Sequence, residues 1–122
     1  MDEFSRQVED VFAGKRREKP GVSKEGFEAK MAELRAEIDY CNKTAIELLK
    51  RRTDASRKVA ICKWSAGVPN FAPGREEAIL EKAREYGESI GVNGDDARRV
   101  VEDMLKSARR EQDAYREKIE SQ

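Results

Sequence analysis

"MAELRAEIDYCNKTAIELLKRRTDASRKVAIC", residues 31–62, carries one uninterrupted pattern. Met31, Leu34, Ile38, Cys41, Ala45, Leu48, Arg52, Ala55, Val59 and Cys62 follow each other at alternating steps of 3 and 4 residues. That is a heptad seam, the repeat of a helix packed along a partner. The pattern predicts a helix that begins near Ser23 or Phe27, with Ser23 as candidate N-cap. It ends near Trp64, before Gly67 and Pro69. Such a helix would be about 55 Å long, whereas a compact domain of this size has a radius of gyration of only about 14 Å. Its own chain cannot wrap it. The simplest partner is a second copy across a two-fold axis.

The flanks extend this reading. Residues 2–12 form a short amphipathic pattern, with Phe4, Val8, Val11 and Phe12 on one side. "GKRREKPGVSKEG", residues 14–26, is charged and broken by Gly and Pro, as a linker is. Residues 1–25 are therefore expected to be an N-terminal extension, and 26–122 the main helical domain. After the breakers Pro69, Pro73 and Gly74, a second helix is expected to run to about Ile90, with Ile79, Ala83, Tyr86 and Ile90 on its apolar face. Gly91 would stop it. "VNGDD" is a turn with Asn93 or Asp95 as cap. A third helix follows from about Asp95 to Glu120, with a stripe of Val101, Met104, Ala108, Gln112, Tyr115 and Ile119. No strand pattern is present. The expected fold is all-α: a three-helix protomer with one very long first helix, in an intertwined homodimer.

Composition narrows the function. The chain has 122 residues, the length of one domain, and 25 acidic residues balance 25 basic ones. No global basic field is available for nucleic acid, so any anion site must be a local cluster. There is no histidine, which removes His-based metal sites and Ser-His or Cys-His nucleophiles. No apolar run approaches the roughly 18 residues of a membrane span, and no signal peptide is visible. A soluble cytoplasmic protein is expected. Cys41 and Cys62, about 30 Å apart on one helix, could not form an intrachain disulfide and read as reduced core residues.

Two polar residues occupy apolar positions. Arg52 sits in the seam, where a buried arginine costs several kcal/mol, on the order of 3–5, unless an anion meets it. Gln112 sits on the stripe of the third helix. Lys63 follows Arg52 by 11 residues, three turns and roughly 20°, so both face one side of the helix. Arg35 precedes Arg52 by 17 residues, about 25 Å along the same helix, and could meet the ligand of a second chain only. Arg35 from one chain with Arg52, Lys63 and Arg75 from the other would make a cationic, helix-lined pocket. It would suit a small polyanion, most naturally a dicarboxylate.

With these residues in view, the sequence resembles a known family. "LRAEID" (34–39), "LLKRR" (48–52), "KVAICK" (58–63), "GVPNFAPGRE" (67–76) and "REQ" (110–112) are similar to the all-helical chorismate mutases, the AroQ class. The family's ordered pattern of Arg, Arg, Lys, Arg-Glu and Gln is met without insertion or deletion by Arg35, Arg52, Lys63, Arg75–Glu76 and Gln112. The resemblance covers residues 27–119.

It implies rearrangement of chorismate to prephenate in aromatic amino acid biosynthesis, with no metal, no cofactor and no covalent intermediate. By the same resemblance, Arg52 and the partner chain's Arg35 would hold the two substrate carboxylates. Lys63 and Gln112 would donate to the ether oxygen. Glu76 would accept from the ring hydroxyl, with Arg75 supporting the polar network. Two positions depart from the family's usual residues: Ala72, where an acid is frequent, and Ala108, where a small hydroxyl residue is frequent. The loop "APGR" is also reminiscent of relatives acting on isochorismate as pyruvate lyases, or on the 4-amino analogue of chorismate. These tend to lack the Glu after the Arg, so Glu76 favours the mutase. A non-catalytic helical dimer, serving as scaffold or regulatory partner, is the rival from another class. Retention of the polar set argues against it.

Overall fold

The computed structural model describes residues 2–69 and 74–121. They form four α-helices and no strand: α1 (Glu3–Phe12), α2 (Lys24–Ala66), α3 (Arg75–Ser89) and α4 (Gly94–Glu120). The all-α expectation holds. The helix number exceeds the expected three because the amphipathic segment near the N-terminus closes into a helix of its own. Asp2 caps it by accepting from the Ser5 amide at 2.7 Å, which also holds the Asp2 carboxyl below its usual range. Ala72 and Pro73 lie outside the described residues.

The remaining boundaries follow local chemistry. The Ser23 hydroxyl accepts from the Gly26 amide at 3.0 Å and opens α2 as expected. Asn93 is the cap of α4, accepting from the amides of Asp95 and Asp96 at 2.9 and 3.1 Å. Gly91 ends α3.

The chain divides into two compact units, Met1–Lys43 and Thr44–Gln122, and α2 runs through the division. In the first, the Lys30 ammonium lies 4.9 Å from the centre of the Phe4 ring, a cation–π contact between α1 and α2. In the second, α3 and α4 form a hairpin. Gly87 is buried there, and a Cβ at that position would stand 2.5 Å from the Ala97 Cβ, so the close crossing requires glycine. Arg98 forks onto both oxygens of Glu77 at 2.9 and 3.0 Å, and Arg84 meets Asp95 at 2.7 Å. Leu80 packs inside this hairpin and Ala60 is buried on α2.

The seam of α2 is a different matter. Ile38 is 58% exposed, Leu48 53% and Val59 47%. Cys41 and Cys62 are exposed as well, which corrects their assignment to the core: they lie on a face left open in the single chain. No helix among the described residues is long and apolar enough to cross a membrane.

Candidate active site

Three chain segments of the second unit build the site. The first is the last turns of α2. Gly67, at φ 71°, turns the chain so that the Val68 amide bonds the Lys63 carbonyl at 2.8 Å and the Gly67 amide bonds that of Trp64 at 3.2 Å. A side chain at Gly67 would disfavour this left-handed turn. The stop is thus tied to the Lys63 backbone itself.

The second segment is the first turn of α3. The helix starts at Arg75, so Glu76 sits in its first turn, where the helix dipole favours a carboxylate. The third is the middle of α4, which polar contacts tie to α2. Arg52 Nη1 donates to the Met104 carbonyl at 3.2 Å, Arg57 Nη2 to Glu111 Oε2 at 2.7 Å, and Gln112 Nε2 to the Ser56 carbonyl at 3.4 Å.

Between these segments lies a cavity of about 430 Å³, within the range of small-ligand sites. Arg52, Ser56, Val59 and Lys63 face it from α2, Arg75, Glu76 and Ile79 from α3, and Leu105, Ala108, Arg109, Gln112 and Asp113 from α4. Five residues singled out in the sequence, Arg52, Lys63, Arg75, Glu76 and Gln112, therefore line one space. Arg35 belongs to the first unit and is exposed.

The electrostatics are unbalanced in one direction. Among the described residues, Arg52, Lys63, Arg75 and Arg109 bring four positive charges to the wall, against the two negative charges of Glu76 and Asp113. Arg52 is half-buried, and among the described residues no carboxylate pairs with it; its protein partner is a neutral carbonyl. Such a wall can bind an anion of charge two, with Gln112 as a neutral donor beside it.

Arg109 and Asp113 were not legible as site residues. Both are charged positions on a charged helix. Arg109 stands out only because its guanidinium lies 3.5 Å from the Glu76 carboxylate. A larger, more open groove of about 750 Å³, lined by Arg57, Glu111, Tyr115 and Lys118 among others, is a weaker candidate. Its nearest charges, Arg57 and Glu111, already neutralise each other at 2.7 Å.

The family model described as chorismate mutase type II matches residues 34–113, a stretch containing Arg35, Arg52, Lys63, Arg75, Glu76, Arg109, Gln112 and Asp113. The chain belongs to the type II chorismate mutase family. Among its relatives are two T-proteins. That of Haemophilus influenzae is 33% identical over 85 residues, covering 70% of this chain and 22% of the relative. That of Enterobacter agglomerans is 32% identical over 83 residues, covering 68% and 21%. This type II chorismate mutase family member thus spans about a fifth of the length of the T-proteins it matches. A 4-amino-4-deoxychorismate mutase of Streptomyces venezuelae is 33% identical over 60 residues, covering 49% of this chain and 58% of that one. No solved structure matches the chain.

Proposed function

We propose that the chain is a chorismate mutase, a cytoplasmic enzyme of aromatic amino acid biosynthesis that converts chorismate to prephenate, with residues 26–122 as its catalytic domain. The observation that carries this reading is the single cavity lined by Arg52, Lys63, Arg75, Glu76 and Gln112. Its excess of positive charge suits a dicarboxylate.

The rearrangement breaks a C–O bond as a C–C bond forms within one molecule, and negative charge grows on the ether oxygen as the C–O bond lengthens. Lys63 and Gln112 donate to that oxygen. Donors fixed there lower the transition state more than the ground state. Arg52 and Arg35 of the partner subunit clamp the two carboxylates and hold the folded, reactive conformer. Glu76 accepts from the ring hydroxyl, and Arg75 supports the network. Neither general acid nor general base is required, which suits a chain without histidine.

The partner follows from the open seam of α2. Exposed Leu, Ile, Val and Cys residues at heptad spacing are a surface for a second copy. The homodimer would bring the partner subunit's Arg35 to the site.

A second reading is a mutase acting on 4-amino-4-deoxychorismate, favoured by the similarity to the Streptomyces protein. Incubation with chorismate, isochorismate and 4-amino-4-deoxychorismate in turn, followed by product identification, separates the possibilities. Prephenate from chorismate is expected. Salicylate and pyruvate from isochorismate, with no prephenate from chorismate, would overturn the proposal.

A further inference from the structure

We infer that Arg109 sets substrate selectivity, making the pocket favour a neutral hydroxyl over a charged amino group at the position that Glu76 contacts. The inference rests on the mutase reading above and deepens it.

Three observations meet here. Arg109 lines the same cavity as the proposed reacting groups. It stands three residues before Gln112 on α4, so both side chains leave one face of the helix. Its Nη1 lies 3.5 Å from Glu76 Oε2. Glu76 therefore meets any ligand with a cation already beside it.

The two candidate substrates differ in what they ask of that carboxylate. A hydroxyl is neutral, donates one hydrogen bond to a Glu76 oxygen, and gains from a carboxylate that Arg109 keeps in place. An alkyl amine carries a proton at neutral pH. Bound at Glu76 as an ammonium, it would be attracted by the carboxylate but repelled by the guanidinium beside that carboxylate. The pair is only half-shielded, with Arg109 50% and Glu76 31% exposed. The repulsion is therefore screened, and the resulting discrimination is expected to be about tenfold rather than thousands. A carboxylate without Arg109 would attract the ammonium with no such opposition.

The test compares kcat/KM for chorismate and for 4-amino-4-deoxychorismate in three proteins: the natural chain, Arg109→Met and Arg109→Lys. Methionine keeps length and helix propensity without the charge; lysine keeps the charge. The natural protein is expected to prefer chorismate. Arg109→Met should shift the ratio toward the amino substrate by about tenfold, and Arg109→Lys should hold it near the natural value. A merely structural role would lower both rates together and leave the ratio alone. The selectivity inference is overturned by an unchanged ratio in Arg109→Met, by an equal shift in Arg109→Lys, or by a natural preference for the amino substrate. Should Arg109→Met fold poorly, Arg109→Gln serves the same comparison. Turnover of neither substrate by the natural protein is a different result: it overturns the mutase reading, and the inference with it.

Discussion

The Gln112 side-chain amide stands 3.4 Å from the Ser56 carbonyl, at the long end of hydrogen bonding, while its neighbour Glu111 is held at 2.7 Å by Arg57. Strong anchoring thus falls on the residue beside Gln112. The amide itself is lightly held and can turn to a ligand.

Gln112→Glu follows from this. An amide donates at any ordinary pH, whereas a glutamate donates only when protonated, and its ionised form repels charge growing on the ether oxygen. The variant's rate should rise toward acid, where the natural profile is flat. At pH 7 kcat should fall by roughly 10²–10³, the usual loss for one oxyanion donor. Gln112→Ala should lose activity without recovery in acid. Near-normal turnover by a folded Glu variant at neutral pH would leave Gln112 only a structural place on α4.

The open seam of α2 predicts a dimer. Leu48 is 53% exposed in one chain, so Leu48→Asp should be almost neutral to a monomer but should drive a dimer apart, since each subunit would bury a carboxylate in place of about 1.5–3 kcal/mol of apolar contact. Sedimentation should show the natural protein as a dimer at micromolar concentration and the variant as a smaller species. A folded helical monomer of the natural chain would refute the interface.

Site sharing has its own test. In a heterodimer of Arg35→Ala and Arg52→Ala chains, one of the two sites carries neither change. Mixing and refolding the two inactive proteins should restore measurable activity. If heterodimers form and stay inactive, Arg35 does not act across the interface.

In the α3–α4 hairpin, Gly87→Ala should cost about 1–3 kcal/mol, because the new methyl must displace Ala97 in a packed crossing. Urea unfolding reads this as a lower midpoint at unchanged slope.

The Arg98–Glu77 fork predicts a pH dependence. Hydrogen bonding and attraction to Arg98 lower the Glu77 pKa from its usual 4.5. A carboxyl lowered in the folded state stabilises above its unfolded pKa and loses that effect as pH falls through the folded one. A double-mutant cycle with Glu77→Gln and Arg98→Met should show coupling at pH 7 that is lost as the pH falls through the lowered pKa of Glu77 in the folded protein. Coupling that persisted in acid would mean the pair acts by packing rather than charge.

Much of this was written in the chain itself. The 3–4 repeat from Met31 to Cys62 specified a helix, because an apolar stripe at that period can be buried in no other regular backbone. Ser23, Gly67, Gly91 and Asn93 marked ends by local chemistry that needs no distant contact. Arg52 and Gln112 drew attention as polar residues at apolar positions, and spacing alone placed Lys63 on the face of Arg52. Other features were out of reach of any linear reading. That Arg52 meets the Met104 carbonyl, and that Arg109 lies against Glu76, depend on how α4 packs against α2 and α3. Those contacts join residues 52 and 33 positions apart, and no periodicity within one helix encodes which charged side chain of another will be its neighbour. Local propensity and hydrophobic period act over a turn or two of helix. The charge inside a pocket is a sum over three separate segments, and only their packing brings its terms together.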